Sequence, residues 1–199
     1  RSCGNGALGD SSVKMRSYFE NVFGLSNMKQ AASGQEHGLA VSNTGNVYAW
    51  GRNVFGQLGD GTMAERQAPK VLSSLSGITK VAAGDYFSLV LGSNGTAYTF
   101  GDNSKLTLGV SGPSVSSTPL TVSGYGTVVD IAAGANHGLL VNATGQLYAW
   151  GNDSNGQLGR GTTTGSNLLP QIVTGLSGVT MKKVAAAENH SLALDSLGQ

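Results

Sequence analysis

Three histidines are the first residues to test for chemistry, because imidazole serves both as a metal ligand and as a general base near neutral pH. His37, His137 and His190 open the related runs His-Gly-Leu-Ala-Val, His-Gly-Leu-Leu-Val and His-Ser-Leu-Ala-Leu, and Phe87-Ser88-Leu89-Val90-Leu91 stands in register between the first two. One histidine per repeating unit keeps the imidazoles apart, so a bond to a neighbouring backbone group is favoured over a shared metal site. Cys3 is the only cysteine, which excludes an internal disulfide and a multi-cysteine zinc site. Gly4-Asn5-Gly6-Ala7-Leu8-Gly9 spells the dinucleotide-binding G-x-G-x-x-G, but no strand and helix frame it and it falls in register with a repeated loop, so it reads as a turn. Serines are plentiful, yet no nucleophile elbow or carboxylate constellation singles one out. The expectation is no catalytic residue, no cofactor and no enzyme.

The elements that must position these residues come from a repeat of about 50 residues. Ala31-Ala32-Ser33-Gly34 returns as Val81-Ala82-Ala83-Gly84, Ile131-Ala132-Ala133-Gly134 and Val184-Ala185-Ala186-Ala187, in steps of 50, 50 and 53 residues. After each His-type run come a turn, at Thr44-Gly45, Asn94-Gly95, Thr144-Gly145 and Leu197-Gly198, and in three units a second apolar run ending in Tyr-Ala-Trp-Gly or Tyr-Thr-Phe-Gly. Two β-rich runs around a glycine turn predict a hairpin. A loop follows, Gly56-Gln57-Leu58-Gly59-Asp60-Gly61-Thr62, matched by Gly156 to Thr162 and begun at Gly6 to Asp10. A Pro-marked run then precedes the next unit, as in Ala68-Pro69-Lys70-Val71. The chain thus divides into a partial repeat at 1–30, repeats at 31–80, 81–130 and 131–183, and a partial repeat at 184–199. Val13 to Met28 comes nearest to a helical period, but its register makes it a variant of the Pro-marked strand.

Four short strands per unit, stacked radially, predict an all-β fold, a β-propeller of four-stranded blades. The composition agrees. Glycine supplies 31 of 199 residues and charged residues only 12%, against about 25% in an average domain; glycines serve the turns, small Ala-Ala-Gly runs suit strands crowded at an axis, and Tyr48/Trp50 or Tyr148/Trp150 fill the wider space between blades. A net charge of +1 supplies no field to attract a polyanion, which disfavours nucleic acid as a partner, and no apolar run is long enough to span a bilayer.

In these motifs, Val-Ala-Ala-Gly, His-Ser/Gly-Leu, Gly-x-Val/Leu-Tyr-Ala-Trp-Gly and Gly-Gln-Leu-Gly-x-Gly-Thr, the chain resembles the repeat of the regulator of chromosome condensation family across nearly its whole length. The resemblance implies a propeller, usually of seven blades, and a range of roles for which the fold alone does not decide. About four repeats are present. A piece of a longer propeller is the preferred arrangement, ahead of a four-bladed ring closed on itself and a ring completed by self-association, since an unclosed array exposes strand edges.

A repeat scaffold holds its core constant and varies the loops that meet a partner. The tips after the Trp-Gly or Phe-Gly pair read Arg52-Asn53-Val54-Phe55, Asp102-Asn103-Ser104-Lys105 and Asn152-Asp153-Ser154-Asn155, and a second variable pair, Gln35-Glu36, Asp85-Tyr86 or Ala135-Asn136, precedes the His-type strand. Arg52, Phe55 and Tyr86, with Asp102, Lys105 and Asp153, are the candidate partner-binding residues of a protein-interaction scaffold. Packing of Phe55 between blades is the competing expectation. The resemblance also implies guanine-nucleotide exchange on a small Ran-type GTPase, through protein contacts and without a cofactor. A secreted binding or inhibitory module is the third reading: low charge with abundant Gly, Ser, Thr and Asn leans toward a secreted or cell-surface setting over a cytoplasmic or nuclear one.

Overall fold

The computed structural model describes residues 2–4, 8–11, 16–161, 163 and 165–199. Each complete repeat folds into one antiparallel sheet whose strands follow chain order. The first holds β3 (Met28–Ser33), β4 (His37–Ser42), β5 (Val47–Gly51) and β6 (Arg66–Val71). The second holds β7 (Ile78–Ala83), β8 (Phe87–Gly92), β9 (Ala97–Asp102) and β10 (Val115–Val122), and the third β11 (Val128–Ala133), β12 (His137–Asn142), β13 (Leu147–Gly151) and β14 (Asn167–Ile172). Two smaller sheets flank them, β1 (Ser2–Gly4) with β2 (Arg16–Glu20) and β15 (Met181–Ala186) with β16 (Ser191–Asp195), and the two remain separate. Arg16–Glu20 is a strand, so the helical alternative for that stretch falls; residues 12–15 lie outside the described residues. These are the blades of an all-β propeller, and no helix occurs among the described residues.

Position within the blade follows from side-chain type. The second strands, β4, β8 and β12, are buried at every residue, because neighbouring blades cover both faces, and their sequences are accordingly apolar on both sides. The outer strands β6, β10 and β14 carry Pro69, Pro119 and Pro170; lacking an N–H, proline is tolerated at an edge where the ladder has already shifted register.

The core lies between blades. Leu39 and Val41 meet Ile78, Val81 and Phe100; Leu89 and Leu91 meet Ile131, Leu140 and Trp150; Leu139 and Val141 meet Met181 and Val184. Backbone bonds tie successive blades at both ends. At one end Gln35 N donates to Asp85 O (3.3 Å), Asp85 N to Ala135 O (2.9 Å) and Ala135 N to Glu188 O (3.3 Å). At the other, the β4–β5 type of turn receives the first amide of the next blade: Ile78 N to Gly45 O, Val128 N to Gly95 O and Met181 N to Gly145 O.

Aromatic residues set the spacing. Trp50, Phe100 and Trp150 each lie on a glycine of the preceding unit's Gly-rich loop, where a Cβ would come within 2.9 Å of Trp50 Nε1 at Gly9, 2.7 Å of Phe100 Cδ2 at Gly59 and 2.7 Å of Trp150 Nε1 at Gly109. Trp150 Nε1 also donates to Thr107 O (2.7 Å). Residues 5–7 of the Gly4-to-Gly9 motif lie outside the described residues, but Gly9 serves as this packing position. Gly59 has φ +68 as well as no room, whereas Gly61 has φ +80 and open space around it. Gly59→Ala is therefore expected to destabilise the protein by about 2–4 kcal/mol, backbone strain plus overpacking, and Gly61→Ala by about 1–2 kcal/mol; urea unfolding of the two variants checks the difference.

Candidate functional site

The histidines are bound into blade junctions. His37 Nε2 lies 2.9 Å from Ser88 Oγ on the next blade, and Ser88 Oγ donates to Gln57 O (2.7 Å). His137, Ser191 and Gln157 repeat the arrangement with the same distances. Because the serine proton is given to a carbonyl, the histidine must be the donor to Oγ, which fixes the Nε2–H tautomer and leaves Nδ1 as the lone-pair nitrogen. Both Nδ1 atoms are buried without a hydrogen-bond partner, so a second proton would find no acceptor, and burial lowers each imidazole to about 4. In His137 the charge of Asp153 raises the value and that of His190 lowers it, both less than burial. This pair is the reverse of a nucleophile and its base, since the imidazole gives a proton to the serine oxygen instead of taking one. Between the two latches the matched positions are held by a buried Phe87 and by Gly138, which have no polar side-chain groups to pair.

The Gly-rich loop is held by one side chain at its start. Asn53 Oδ1, Asn103 Oδ1 and Asp153 Oδ1 accept from Leu58 N, Leu108 N and Leu158 N at 3.0, 3.1 and 3.0 Å. In the first unit the Asn53 amide donates to Thr62 O and Ala64 O, while Asp60 pairs with Arg66 at 2.7 Å. In the third, Asp153 pairs with Arg160 at 2.7 Å and Arg160 donates to Asn167 Oδ1 at 3.0 Å. The set Asn53/Asp60/Arg66 becomes Asp153/Arg160/Asn167: the same three residue types, permuted over three matched positions. Burial raises the Asp60 carboxyl, but hydrogen bonds from Thr62 and Arg66 and the Arg66 charge outweigh it and hold it below the usual carboxylate range.

These contacts remove two sequence candidates from the accessible surface. Asp153 is fully buried on its loop amide and Arg160. Asp102 is buried too, accepting from Ser104 N (3.1 Å) and Ser104 Oγ (2.7 Å). Acidic type at a variable tip suggested a contact, whereas each carboxylate turns inward to satisfy its own loop. Lys105 is exposed. Because β4 runs antiparallel to β5 with His37 opposite Gly51, the β3–β4 and β5–β6 connections share one end of the blades, and Arg52, Phe55, Tyr86 and Lys105 all lie at that end. The Phe55 and Tyr86 rings meet across two units, centroids 5.2 Å apart and tilted by 56°. Arg52 Nη1 lies 2.5 Å from Glu36 Oε2, both side chains exposed. Phe55 thus bridges two units while remaining half-exposed.

The repeats in this geometry match the family model described as the regulator of chromosome condensation (RCC1) repeat over residues 44–91, 94–141 and 144–194. The chain belongs to the RCC1-repeat family. A second model of the same repeat matches 28–57, 78–105 and 128–157. The chain is 48% identical over 44 residues to Protein RCC1 of Candida albicans, a match covering 22% of this chain and 10% of that one. Among solved structures it is similar to Prp20p from Saccharomyces cerevisiae (24% identity, TM-score 0.77, 87% of this chain and 44% of that one) and to human WBSCR16 (22%, 0.82, 98% and 52%). It also resembles yeast RCC1 (Prp20) in a structure with Kap60 (24%, 0.83, 96% and 48%). This RCC1-repeat chain spans about half the length of those solved relatives.

The reading of single motifs missed Ser88, Arg160 and Ser191. Pairing units in register would have exposed Ser88 and Ser191, which follow His37 and His137 by one repeat, and the permuted triad, which is visible once 53/60/66 and 153/160/167 are aligned. Removing Arg160 leaves a buried carboxylate without its cation, so Arg160→Ala should lower stability by about 3–5 kcal/mol. Adding Asp153→Asn, which restores the first unit's amide, should return much of the loss in the same urea titration. Acid sensitivity is the second expectation. Each latch histidine titrates near 4 in the fold against about 6.5 unfolded, so the unfolded chain binds more protons between those values. Stability is full above pH 6.5 and falls as the pH drops toward 4, by up to about 3 kcal/mol per histidine. Replacing one latch by the pair already used next to it, His37→Phe with Ser88→Gly, should flatten that slope by one histidine's share; an unchanged slope in unfolding at pH 7, 5.5 and 4 would sink this account.

Proposed function

We propose that this RCC1-repeat propeller is a non-catalytic scaffold that binds a protein partner through the loops at the β3–β4 and β5–β6 end of its blades. The Phe55–Tyr86 pair carries the reading. Two half-exposed aromatic rings in tilted contact across a blade junction supply apolar area at fixed geometry, which is how interface anchors work. Beside them, the Arg52–Glu36 pair is solvent-exposed and contributes little to stability, so both charges are available to re-pair with a partner. Rigidity comes from below: the loops that carry Arg52, Phe55 and Lys105 are closed by Asn53 and Asn103 on backbone amides, which reduces the ordering that binding would otherwise require.

A second reading, guanine-nucleotide exchange on a small Ran-type GTPase, is supported by the 48% identity over 44 residues to Protein RCC1 of Candida albicans and by the reported binding of the similar Prp20p to Gsp1p and histones. Nucleotide release from a Ran-type GTPase separates the readings: acceleration by the chain assigns exchange, and its absence leaves the scaffold.

For the scaffold, Phe55→Ala and Tyr86→Ala are each expected to weaken binding to a partner captured from native material by about tenfold or more, with the melting temperature nearly unchanged. Loss of stability with retained binding would instead reduce Phe55 to a packing residue.

A further inference from the structure

The two ends of the blades differ in charge. The connections at the end opposite Phe55 and Tyr86 are residues 21–27, 43–46, 72–77, 93–96, 123–127, 143–146 and 173–180. Not one of them holds Asp, Glu, Lys, Arg or His, although the chain is 12% charged. The loops of the other end carry Glu36, Arg52, Asp85, Lys105 and Glu188. The uncharged end is built mainly of Gly, Ser, Thr and Asn. It offers no ion to pair with a phosphate, a carboxylate or a basic side chain, so a ligand recognised there is recognised by neutral hydrogen bonds and by apolar contact.

One place at this end departs from the repeat. Leu25, Leu75 and Leu176, each followed by Ser, occupy one matched position, and Leu75 is buried in the core; the third unit has Tyr125 there. The Tyr125 ring meets Tyr148, centroids 5.0 Å apart and inclined by 62°, and both residues are half-buried. Beside them the β12–β13 turn fixes the orientation of two amides. Asn142 Oδ1 accepts from Thr144 N (3.1 Å) and Gln146 N (2.9 Å). Its amide nitrogen must then face the other way, where it donates to Tyr125 O (3.1 Å) and Gln146 Oε1 (3.0 Å). Tyr148 OH donates to the same Gln146 Oε1 at 3.2 Å. With its oxygen claimed twice, the exposed Gln146 turns Nε2 and its two N–H donors away from the network. The Tyr148 oxygen keeps its lone pairs, and the Tyr125 hydroxyl has no hydrogen-bond partner among the described residues. We propose that Tyr125, Gln146 and Tyr148 form a binding site for a neutral oligosaccharide of pyranoses whose hydroxyls are equatorial. Such a sugar presents ring C–H groups on its faces, which suit an aromatic side chain, and hydroxyls around its edge, which suit an amide N–H pair beside phenolic oxygens. The turn holds these groups in place before binding, which reduces the ordering cost.

The site lies at the end away from the protein-contact loops proposed above and does not rest on that reading. Titration of the chain with cellohexaose or chitohexaose, followed by amide-detected NMR, is expected to shift the Gln146 side-chain N–H pair with saturation, and the affinity should be the same at low and high salt because no charge takes part. Tyr125→Leu and Gln146→Thr install residues that other units already carry at those positions, Leu75 and Thr96. Each should weaken binding by about tenfold with the melting temperature nearly unchanged, while Phe55→Ala should leave it as it was. No saturating shift with either sugar overturns the proposal, as does equal binding by the wild type and both variants. Tighter binding of decaproline, a ligand class that aromatic-lined surfaces also take, overturns it in favour of a peptide site. If Tyr125→Leu fails to fold, the exposed Gln146→Thr against wild type still decides.

Discussion

The constraint on which this structure depends is the close approach of one blade's aromatic ring to the glycine loop of the blade before it. Trp50, Phe100 and Trp150 reach across three successive junctions, and in each the receiving glycine has a positive φ and no space for a Cβ. The same ring also limits what can stand opposite it on its own sheet. Trp50 and Trp150 are paired with Gly38 and Gly138, while the smaller Phe100 is paired with Ser88. Ring size on the third strand thus decides whether the second strand can carry a hydroxyl, and the hydroxyl decides whether the preceding blade can use a histidine. Packing and polar pairing at a junction form one linked choice, which is why His37 stands on the blade before the one that pairs Ser88 with Phe100.

A repeat therefore conserves interactions more faithfully than residues. The loop-closing bond to Leu58, Leu108 or Leu158 is made by Asn, Asn and Asp. Where asparagine stands, its amide donates to neighbouring carbonyls; where aspartate stands, Arg160 must supply the donors. A buried carboxylate without a donor is far more costly than an amide, so the substitution could be accommodated only as a set.

This linkage explains what could be read from the sequence and what could not. The hairpins, the four-stranded blades and the Pro-marked edge strands follow from patterns within a unit, and periodicity alone placed them. Residues whose partners lie one repeat away, such as Ser88 for His37 or Asp130 for Lys80, carry no local signal, because a serine beside a leucine in a strand looks the same whether or not an imidazole awaits it. Asp102 and Asp153 illustrate the opposite error. Polarity at a variable loop tip suggests exposure, yet in a short loop rich in glycine the unpaired backbone amides are themselves the strongest demand on a nearby carboxylate, and they claim it before solvent or a partner can.

The division of labour that results bears on how the molecule can work. Buried histidines, serines and carboxylates are committed to holding neighbours in register, each with its proton or charge assigned by a fixed partner. The groups left uncommitted at the loop end, Phe55, Tyr86, Lys105 and the solvent-exposed Arg52–Glu36 pair, are those whose use costs the fold least. Their spacing is set by the same junction that joins His37 to Ser88, so the rings of two units are presented as one surface only while the blades beneath stay locked. Acid that loosens the latch would therefore loosen the surface with it, which makes the stability of the blade stack a precondition for the proposed recognition at its rim.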